Sequence, residues 1–559
     1  MKLPNNQKKK ECVILNHHND IDKFYNKSVD IFSKNFLPNH YNKEKVHYLG
    51  NEKIFKNINK FLYSYKNSWF RYKNVDFSLY DNVLSVGNVF SAYFIRDLSI
   101  IMRNYYYLKK LSKNYNIIHV SQKDSEIIKV ISKLLFNKTK IYNSEYNYGS
   151  DLQIDQVTKF NSKINNVNPL TIGLRNFQFL IKKKNYLRNM IFPDPTYNQL
   201  FDNPIYLKLN KLNILNSYYY NFFLEFKKKR FTLNRKYFLY TLEKFKKKNN
   251  INFENKINIY IYNYISQKMK NNLDIILKYY FLNKEIFENY RPKQILVSGT
   301  DEWNNLILTY AAISKNIKVN AAVDGSYISF FQDIIYNNNF SKILHDKIFL
   351  YSKTEFKKFK KLKNSKNKFF VVNLPIAKKF YHNKNTNKYD LIILDYKYNF
   401  NPYSVDSKKD TSIKTILEIL DEVSKVKLKK IAIKIKPTNE RNNKYINILQ
   451  KEIMNKNYKM SIDYLYEDYS ETLNKSNLFL GGISTAVLET LCAKKKYIIY
   501  SPDNIGFTEF DTKLSPYLKN ENLIKNKALL RNLIYKKTGT ISIDTKQFTQ
   551  NIDLNEKII

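Results

Sequence analysis

Glycine, proline and cysteine are all scarce in this chain of 559 residues, which contains 10 Gly, 12 Pro and 2 Cys. The two cysteines, Cys12 and Cys492, are too few and too far apart for a disulfide scaffold or a cysteine zinc site, so a reducing cytoplasm fits. Because few glycines are present to form tight turns, each glycine that follows an apolar run is informative.

Long hydrophobic runs are also missing. The longest, such as DLIILD, KIAIKI and KYIIYS, are strand-sized, and charged residues interrupt them well before the length that a bilayer requires. The first residues, MKLPNNQKKKECVILN, contain only a brief apolar segment. We therefore expect neither a signal peptide nor a membrane anchor.

Acidic residues are outnumbered, with 49 Asp and Glu against 95 Lys and Arg, for a formal net charge of +46. Nucleic acid is the first partner that such a charge suggests. However, the lysines are spread along the whole chain and accompany no arginine-rich arm or recognisable nucleic-acid module. The pattern favours an anionic lipid surface at the inner face of the cytoplasmic membrane, or phosphorylated substrates, over nucleic acid.

Apolar and aromatic residues are plentiful, at 43% and 16% of the chain, and the length favours two domains over one. The alternation of strand and helix patterns predicts an N-terminal Rossmann-like acceptor domain over residues 1–345. A mainly helical insertion is expected at about 150–290 within it. A second Rossmann-like domain is expected over residues 346–520, followed by a tail over residues 521–559.

Four glycine positions close short apolar runs: Gly87, Gly299, Gly325 and the pair Gly481-Gly482. A glycine at the end of a strand permits the tight turn into a helix that parallel sheets use. The spacing therefore predicts an α/β fold with doubly wound sheets, whose ligands bind at the carboxyl ends of the strands.

The glycine pair lies in NKSNLFLGGISTAVLETLCAKKKYIIY, a pattern of strand, turn, helix and strand. Backbone N–H groups and the hydroxyls of Ser484 and Thr485 would meet at the positive end of the helix, where an anion such as a nucleotide phosphate is stabilised. The alternative is a plain helix N-cap at a structural turn.

The order of these signals resembles the nucleotide-binding half of GT-B glycosyltransferases. It is most similar to bacterial capsule polysaccharide, polyglycerol-phosphate and polysialic acid transferases and to bacterial sialyltransferases. Those families show a strand ending in K-x-H-P, an acidic stretch, and a strand leading to S-T-A with a glutamate after it. The counterparts here are the KIKP at residues 434–437, the acidic stretch at residues 466–469, and residues 482–489. The resemblance covers roughly residues 290–510.

The resemblance implies a two-domain GT-B enzyme with a donor site. Its members would be Lys436, Pro437, the glycine pair, Ser484, Thr485 and Glu489. Glu489 would hold the ribose hydroxyls, although a solvated helix face is an equal alternative. Lys436 stands where the family has histidine, and an ammonium can neutralise phosphate but cannot relay a proton as imidazole does.

Asp324, followed by Gly325, stands where such families often have His-Gly, and an acidic residue there acts as general base in sialyltransferase-like members. A turn aspartate before glycine is also common for conformational reasons alone. Asp301 and Glu302 are reserve carboxylates at another strand-to-helix junction, where helix capping is the simpler role.

The remaining candidates are histidines and a short acidic motif. His17 and His119 end predicted strands of the first domain and could line the acceptor side, or be ordinary histidines. Asp20-Ile21-Asp22 matches the D-x-D motif of metal-dependent glycosyltransferases, but three-residue matches arise by chance. No cluster has metal-ligand spacing, so neither a metal nor a cofactor is expected.

The predicted function is therefore the transfer of a sugar, or a sugar-like phosphorylated unit, from a nucleotide donor to a surface or capsular glycan precursor. The acceptor could be lipid-linked. The alternatives are a nucleotide-sugar epimerase of the same fold and a non-catalytic protein that binds nucleotide sugar or nucleic acid.

Overall fold

The computed structural model describes most of the α/β regions of the chain. The described residues are 11–15, 20–33, 46–48, 58, 61, 62, 65, 68–73, 75–122, 126–144, 189–192, 210–211, 233–298, 303–322, 344–359, 368–372, 386–395, 409–435, 443–482, 484, 486–500 and 517–548.

The first sheet is parallel and five-stranded, in the order β3-β2-β1-β8-β9. Its strands are β1 (Glu11–Leu15), β2 (Asp30–Ser33), β3 (Val46–Tyr48), β8 (Ile117–Ser121) and β9 (Lys138–Tyr142), and the short helix α1 (Asp22–Tyr25) follows β1. Alternate residues of β1 are buried on opposite faces, with Cys12 and Ile14 in one core cluster and Val13 and Leu15 in another. The sheet is therefore covered on both faces, as parallel sheets are.

Two antiparallel hairpins and a long helix lie between β3 and β8. The hairpins pair β4 (Arg71–Tyr72) with β5 (Val75–Asp76) and β6 (Leu79–Tyr80) with β7 (Leu84–Ser85), and the helices of this part are α2 (Val86–Ser112) and α3 (Glu126–Leu135). Ser85 caps α2 by accepting a hydrogen bond from the Asn88 amide at 3.3 Å.

The role predicted for Gly87 is wrong. Gly87 lies in the first turn of α2, after a strand of an antiparallel hairpin, and not in a turn of a parallel sheet. Glycine is nevertheless required at position 87, because an added Cβ would overlap the Phe70 side chain and lie 2.7 Å from Ser78 Oγ.

The second sheet is parallel and six-stranded, in the order β11-β10-β12-β13-β14-β15. Its strands are β10 (Asn189–Phe192), β11 (Asn210–Lys211), β12 (Gln294–Ser298), β13 (Lys318–Ala322), β14 (Lys347–Leu350) and β15 (Phe369–Val371). The helices that lie between these strands along the chain are α4 (Arg235–Lys248), α5 (Asn255–Tyr290), α6 (Trp303–Ser314) and α7 (Lys353–Phe359). Asn88 of α2 donates to the Tyr310 hydroxyl of α6 at 2.9 Å, which links the first two sheets.

The third sheet is also parallel and six-stranded, in the order β18-β17-β16-β19-β20-β21. Its strands are β16 (Leu391–Leu394), β17 (Lys430–Lys434), β18 (Ser461–Leu465), β19 (Leu478–Gly481), β20 (Lys496–Tyr500) and β21 (Leu523–Ile524). Its helices are α8 (Lys409–Val423), α9 (Asn443–Lys456), α10 (Tyr469–Thr472), α11 (Ala486–Cys492) and α12 (Lys527–Tyr535). Along β20, Tyr497 and Ile499 enter one core and Ile498 and Tyr500 the other, so both faces are buried.

The predicted α/β fold with Rossmann-like parallel sheets is confirmed. The described residues form three such sheets, one more than the two predicted domains would contain. The strand pairing also corrects the limit after residue 345, because β14 pairs with β13 and β15 pairs with β14, so both strands belong to the second sheet. Within the range expected for a helical insertion, α4 and α5 are helical, but β10 and β11 are strands of the second sheet. Whether the insertion is mainly helical stays a prediction, since much of residues 150–232 lies outside the described part.

None of the helices in the described part of the chain is both long enough and apolar enough to span a bilayer.

Candidate functional site

The third sheet contains a topological switch point between β16 and β19. From β16 the chain proceeds outward to β17 and β18, and it then crosses to β19 and continues outward in the other direction to β20 and β21. The connections that leave β16 and β19 therefore diverge, and ligands of open α/β sheets bind in the crevice that forms there, beyond the carboxyl ends of the strands. Gly481 ends β19 at this place, and the buried Asp395 directly follows β16.

Gly481 is closely packed between two neighbouring strands. A Cβ at this position would lie 2.6 Å from the Tyr497 hydroxyl of β20 and 2.9 Å from Leu394 Cβ of β16. The Tyr497 hydroxyl in turn donates to the Gly482 carbonyl at 2.8 Å. The glycine therefore lets the backbone of β19 approach both strands at the switch point, and Tyr497 holds the turn that follows.

Ser484 lies between the glycine pair and α11. Its carbonyl accepts from the Val487 amide at 3.1 Å, and the Tyr497 hydroxyl that donates to the neighbouring Gly482 carbonyl lies beside it. Burial holds the pKa of the Tyr497 phenol well above its usual range, so this hydroxyl remains a donor.

Glu489 lies on α11 with its side chain partly buried. Burial raises the pKa of its carboxyl group to about 7. The phenol of Tyr469, whose pKa burial raises well above its usual range, contacts Thr490 Oγ1 at 2.5 Å on the same helix. Glu489 is therefore partly neutral at physiological pH. The alternative prediction, a glutamate on a solvated helix face, would be fully ionised at that pH.

A buried lysine that is not among the predicted site residues lies at the end of β17, the strand beside β16. Lys434 ends β17, is 6% exposed, and donates from Nζ to the Ile435 carbonyl at 2.8 Å. The Asp395 amide donates to the Lys434 carbonyl at 3.0 Å, so the ends of β16 and β17 are joined. Lys434 belongs to the KIKP stretch, in which the family resemblance indicated Lys436 as the phosphate contact. The nearly continuous apolar run KIAIK predicts a strand buried on both faces, and this was the signal that Lys434 is enclosed.

The acidic stretch at residues 466–469 has a structural arrangement around Glu467. Its Oε2 pairs with Lys475 Nζ at 2.7 Å, and Thr472 Oγ1 donates to Oε1 at 3.3 Å. Both oxygens of this carboxylate therefore hold the α10 turn that leads into β19.

His119 belongs to the first sheet, and the strand does not end there as predicted. It lies in the middle of β8, where its Nε2 is 2.7 Å from Glu11 Oε2 and its ring packs edge-on against Phe24. Lys140 Nζ pairs with the other oxygen of Glu11 at 3.0 Å. Hydrogen bonds from His119 and Lys140 lower the pKa of the Glu11 carboxyl group.

Several predicted site residues lie outside the described residues, so their positions stay predictions. They are His17, Asp301, Glu302, Asp324, Gly325, Lys436, Pro437 and Thr485.

The D-x-D match at residues 20–22 follows β1 of the first sheet, where Asp20 contacts other residues of the chain. Asp20 is fully buried, accepts a hydrogen bond from Ser144 Oγ at 2.7 Å, and lies 3.6 Å from Lys23 Nζ. Among the residues that the structure describes, no group of three or more His, Cys, Asp or Glu side chains could hold a metal ion.

Comparisons with known proteins return solved structures only. No family model matches the chain, and no curated protein matches it. The chain is similar to a UDP-GlcNAc 2-epimerase from Methanocaldococcus jannaschii in complex with UDP-GlcNAc and UDP, at 15% identity and a TM-score of 0.36, covering 65% of this chain and 97% of that one. It is similar to MurG from Acinetobacter baumannii at 10% identity and a TM-score of 0.34, covering 63% and 91%. A glycosyltransferase from Rickettsia africae matches at 14% identity and a TM-score of 0.34, covering 66% and 95%.

Proposed function

We propose that this protein is a nucleotide-sugar enzyme of the GT-B type, and specifically a glycosyltransferase acting on a surface or capsular glycan precursor. The donor nucleotide would bind at the switch point of the third sheet, with its phosphates against the turn after β19. The proposal requires no metal or cofactor beyond the donor itself.

One observation carries the donor site: the glycine pair ends the strand beside the switch point. Gly481 lets β19 pack closely against both neighbouring strands, Gly482 follows at the half-buried start of the turn, and the Tyr497 hydroxyl holds that turn through the Gly482 carbonyl. A glycine at such a turn allows close backbone approach to phosphate. Glu489 follows on the next helix, where a partly neutral carboxyl group can both donate to and accept from ribose hydroxyls.

The reaction would be a direct displacement at the anomeric carbon. Asp324 would take the proton of the acceptor hydroxyl, and the turn after β19 together with Lys436 would stabilise the charge that develops on the departing phosphate. These two roles rest on the family resemblance of the sequence.

Ligand-induced thermal shift tests the donor site directly. A ligand that binds only the folded state raises the free energy of unfolding by about 2.7 kcal/mol at a concentration of 100 Kd. We expect one of CMP, CDP, UDP and GDP to raise the melting temperature of the full chain, and Ser484→Ala to reduce that rise relative to the variant's own ligand-free value. Ser461→Ala, at an exposed serine of β18, is the matched control. If no nucleotide shifts the melting temperature, the donor site is refuted.

The reaction class requires a separate experiment. Incubation with sugars carried on the nucleotide that thermal shift identifies, with no acceptor present, converts a donor to its epimer only if the protein is an epimerase. We expect no such conversion, turnover when a glycan acceptor is added, and loss of that turnover in Asp324→Asn with nucleotide binding retained. Normal nucleotide affinity without turnover on any acceptor would identify a binding protein instead.

A further inference from the structure

The outer face of α4 and the β4–β5 hairpin together form an exposed surface of tyrosines and lysines. Tyr72 of β4 stacks on Tyr237 of α4, with ring centroids 4.5 Å apart and planes at 11°, and Tyr240 contacts the Tyr72 ring edge-on at 5.3 Å. Val75 is paired with Tyr72 across the hairpin and is 67% exposed, and Tyr240 is 53% exposed. Basic side chains surround these residues, and all of them are exposed: Lys73, Lys236, Lys244 and Lys247.

The surface is rigid because the inner face of α4 is buried. Phe238 and Leu242 are fully enclosed, and the Thr241 hydroxyl contacts the Tyr65 hydroxyl and the Trp69 carbonyl at 3.3 Å each. Positions 236, 237, 240, 244 and 247 recur at helical spacing on the opposite side. One side of α4 therefore anchors the helix, and the other presents the tyrosines and lysines.

The acidic groups beside this surface are engaged by internal hydrogen bonds. Asp76 accepts from the Ser78 amide and hydroxyl at 2.7 and 2.6 Å, and also from Ser85. Glu243 pairs with the buried Lys246 at 2.7 Å and accepts from Asn258. Lys246 offsets the charge of Glu243, and the exposed lysines outnumber the half-buried Asp76, so the net charge of the surface is positive.

We propose that this tyrosine–lysine surface binds the headgroup region of an anionic phospholipid bilayer. Lysines near an anionic leaflet are attracted to it, and tyrosine and valine side chains can enter the boundary between headgroups and acyl chains. Single-stranded RNA is the competing partner for a basic aromatic surface, because bases stack on aromatic faces. However, the stacked rings of Tyr72 and Tyr237 each already cover one face of the other. The exposed Val75 has no aromatic face on which a base could stack. The inference deepens the membrane contact expected from the charge and does not depend on the proposed catalysis.

Co-sedimentation of the full chain with vesicles tests the proposal. We expect binding to vesicles of phosphatidylcholine mixed with phosphatidylglycerol, weaker binding as salt is added, and little binding to pure phosphatidylcholine. The double substitution Lys236→Glu with Lys244→Glu should weaken partitioning roughly tenfold or more. The matched control is Lys451→Glu with Lys459→Glu, which changes the charge equally at exposed lysines on and just after α9. It should weaken partitioning much less.

The apolar contribution has its own pair of variants. Val75→Ser with Tyr240→Ser should weaken the binding that survives at raised salt, whereas Met454→Ser, at a residue 76% exposed on α9, should not. Equal loss in the two lysine pairs, or equal binding to both kinds of vesicle, would overturn the proposal. So would α4 variants that lose affinity for single-stranded RNA but bind vesicles as the parent does. Unchanged unfolding midpoints verify that each variant is folded.

Discussion

At the scale of single residues, Glu489 is the group whose ionisation is most closely coupled to folding at the candidate site. Its carboxyl group has an ordinary pKa of 4.5 when solvated, and burial raises this value to about 7 in the folded chain. Between these two pH values the unfolded chain releases the proton while the folded chain keeps it. The contribution of Glu489 to stability therefore falls as pH rises through this window, and the loss is complete above pH 7.

Substitution of Glu489 by glutamine isolates this effect. Each unit of pKa shift corresponds to about 1.4 kcal/mol, so Glu489→Gln should exceed the parent in free energy of unfolding by roughly 3 kcal/mol at pH 8 and match it near pH 4. Urea denaturation at both pH values measures the difference. Glu471→Gln, at an exposed glutamate of α10, controls for the loss of one charge. A Glu489→Gln variant that gains nothing on going from pH 4 to pH 8 would contradict the prediction.

The glycine pair shows how far residue-level reasoning from sequence extends. Scarcity of glycine pointed to Gly481 because a turn after a strand was recognisable locally. The reason why glycine is needed there was not recognisable, because Tyr497 and Leu394 lie on other strands and contact Gly481 only in the folded sheet. Partners of this kind depend on strand order, which a single sequence does not contain.

At the scale of elements, the segment after β20 returns to the second sheet and joins it to the third. Tyr517 contacts the Ser352 hydroxyl and donates to Glu355 Oε1 at 3.0 Å, and the other oxygen of the buried Glu355 accepts from the Tyr351 amide at 2.9 Å. Thr354 of α7 donates to Gln547 Oε1 at 2.7 Å. The start of α7 is therefore held by side chains that are about 160 to 190 residues away in sequence.

Removal of the Tyr517 hydroxyl should weaken this connection. Tyr517→Phe takes a donor from a buried carboxylate, and we expect a loss of about 1 to 3 kcal/mol in the free energy of unfolding, with faster amide exchange in residues 353–359. Tyr535→Phe, at a tyrosine that is 74% exposed on α12, is the matched control. If the two variants unfold alike, the contact does not stabilise the junction.

Elements with a strong local sequence pattern agree with the sequence prediction, whereas elements that depend on which strand pairs with which do not. The runs KIAIK and KYIIY are parallel strands as predicted, because β-branched and aromatic residues bounded by polar ones favour them. The run around Leu84 has the same composition, yet it forms one arm of a short hairpin. Its partner Leu79–Tyr80 is too short to have a periodicity of its own.

At the scale of the whole molecule, the residues that the structure describes form three parallel sheets, whereas the sequence predicted two. Alternating strand and helix patterns indicate parallel sheets but not how many sheets the strands form. Strands β10 and β11 have four and two residues and lie in a basic, aromatic stretch, so nothing local separated the first sheet from the second. The boundary between them is a result of tertiary pairing.

The net charge of +46 is a property of the whole chain and has a consequence for its stability. A compact state that concentrates so much charge of one sign is destabilised by self-repulsion, which salt screens over about 10 Å at 0.1 M. We therefore expect the melting temperature to rise as potassium chloride is increased from about 0.01 M to about 0.15 M. Potassium sulfate at matched ionic strength distinguishes screening, which should give the same rise, from specific binding of anions, which should give a larger one. A melting temperature that falls over this range would show that attractive ion pairs, such as Arg531 with Glu422 at 2.6 Å, outweigh the repulsion.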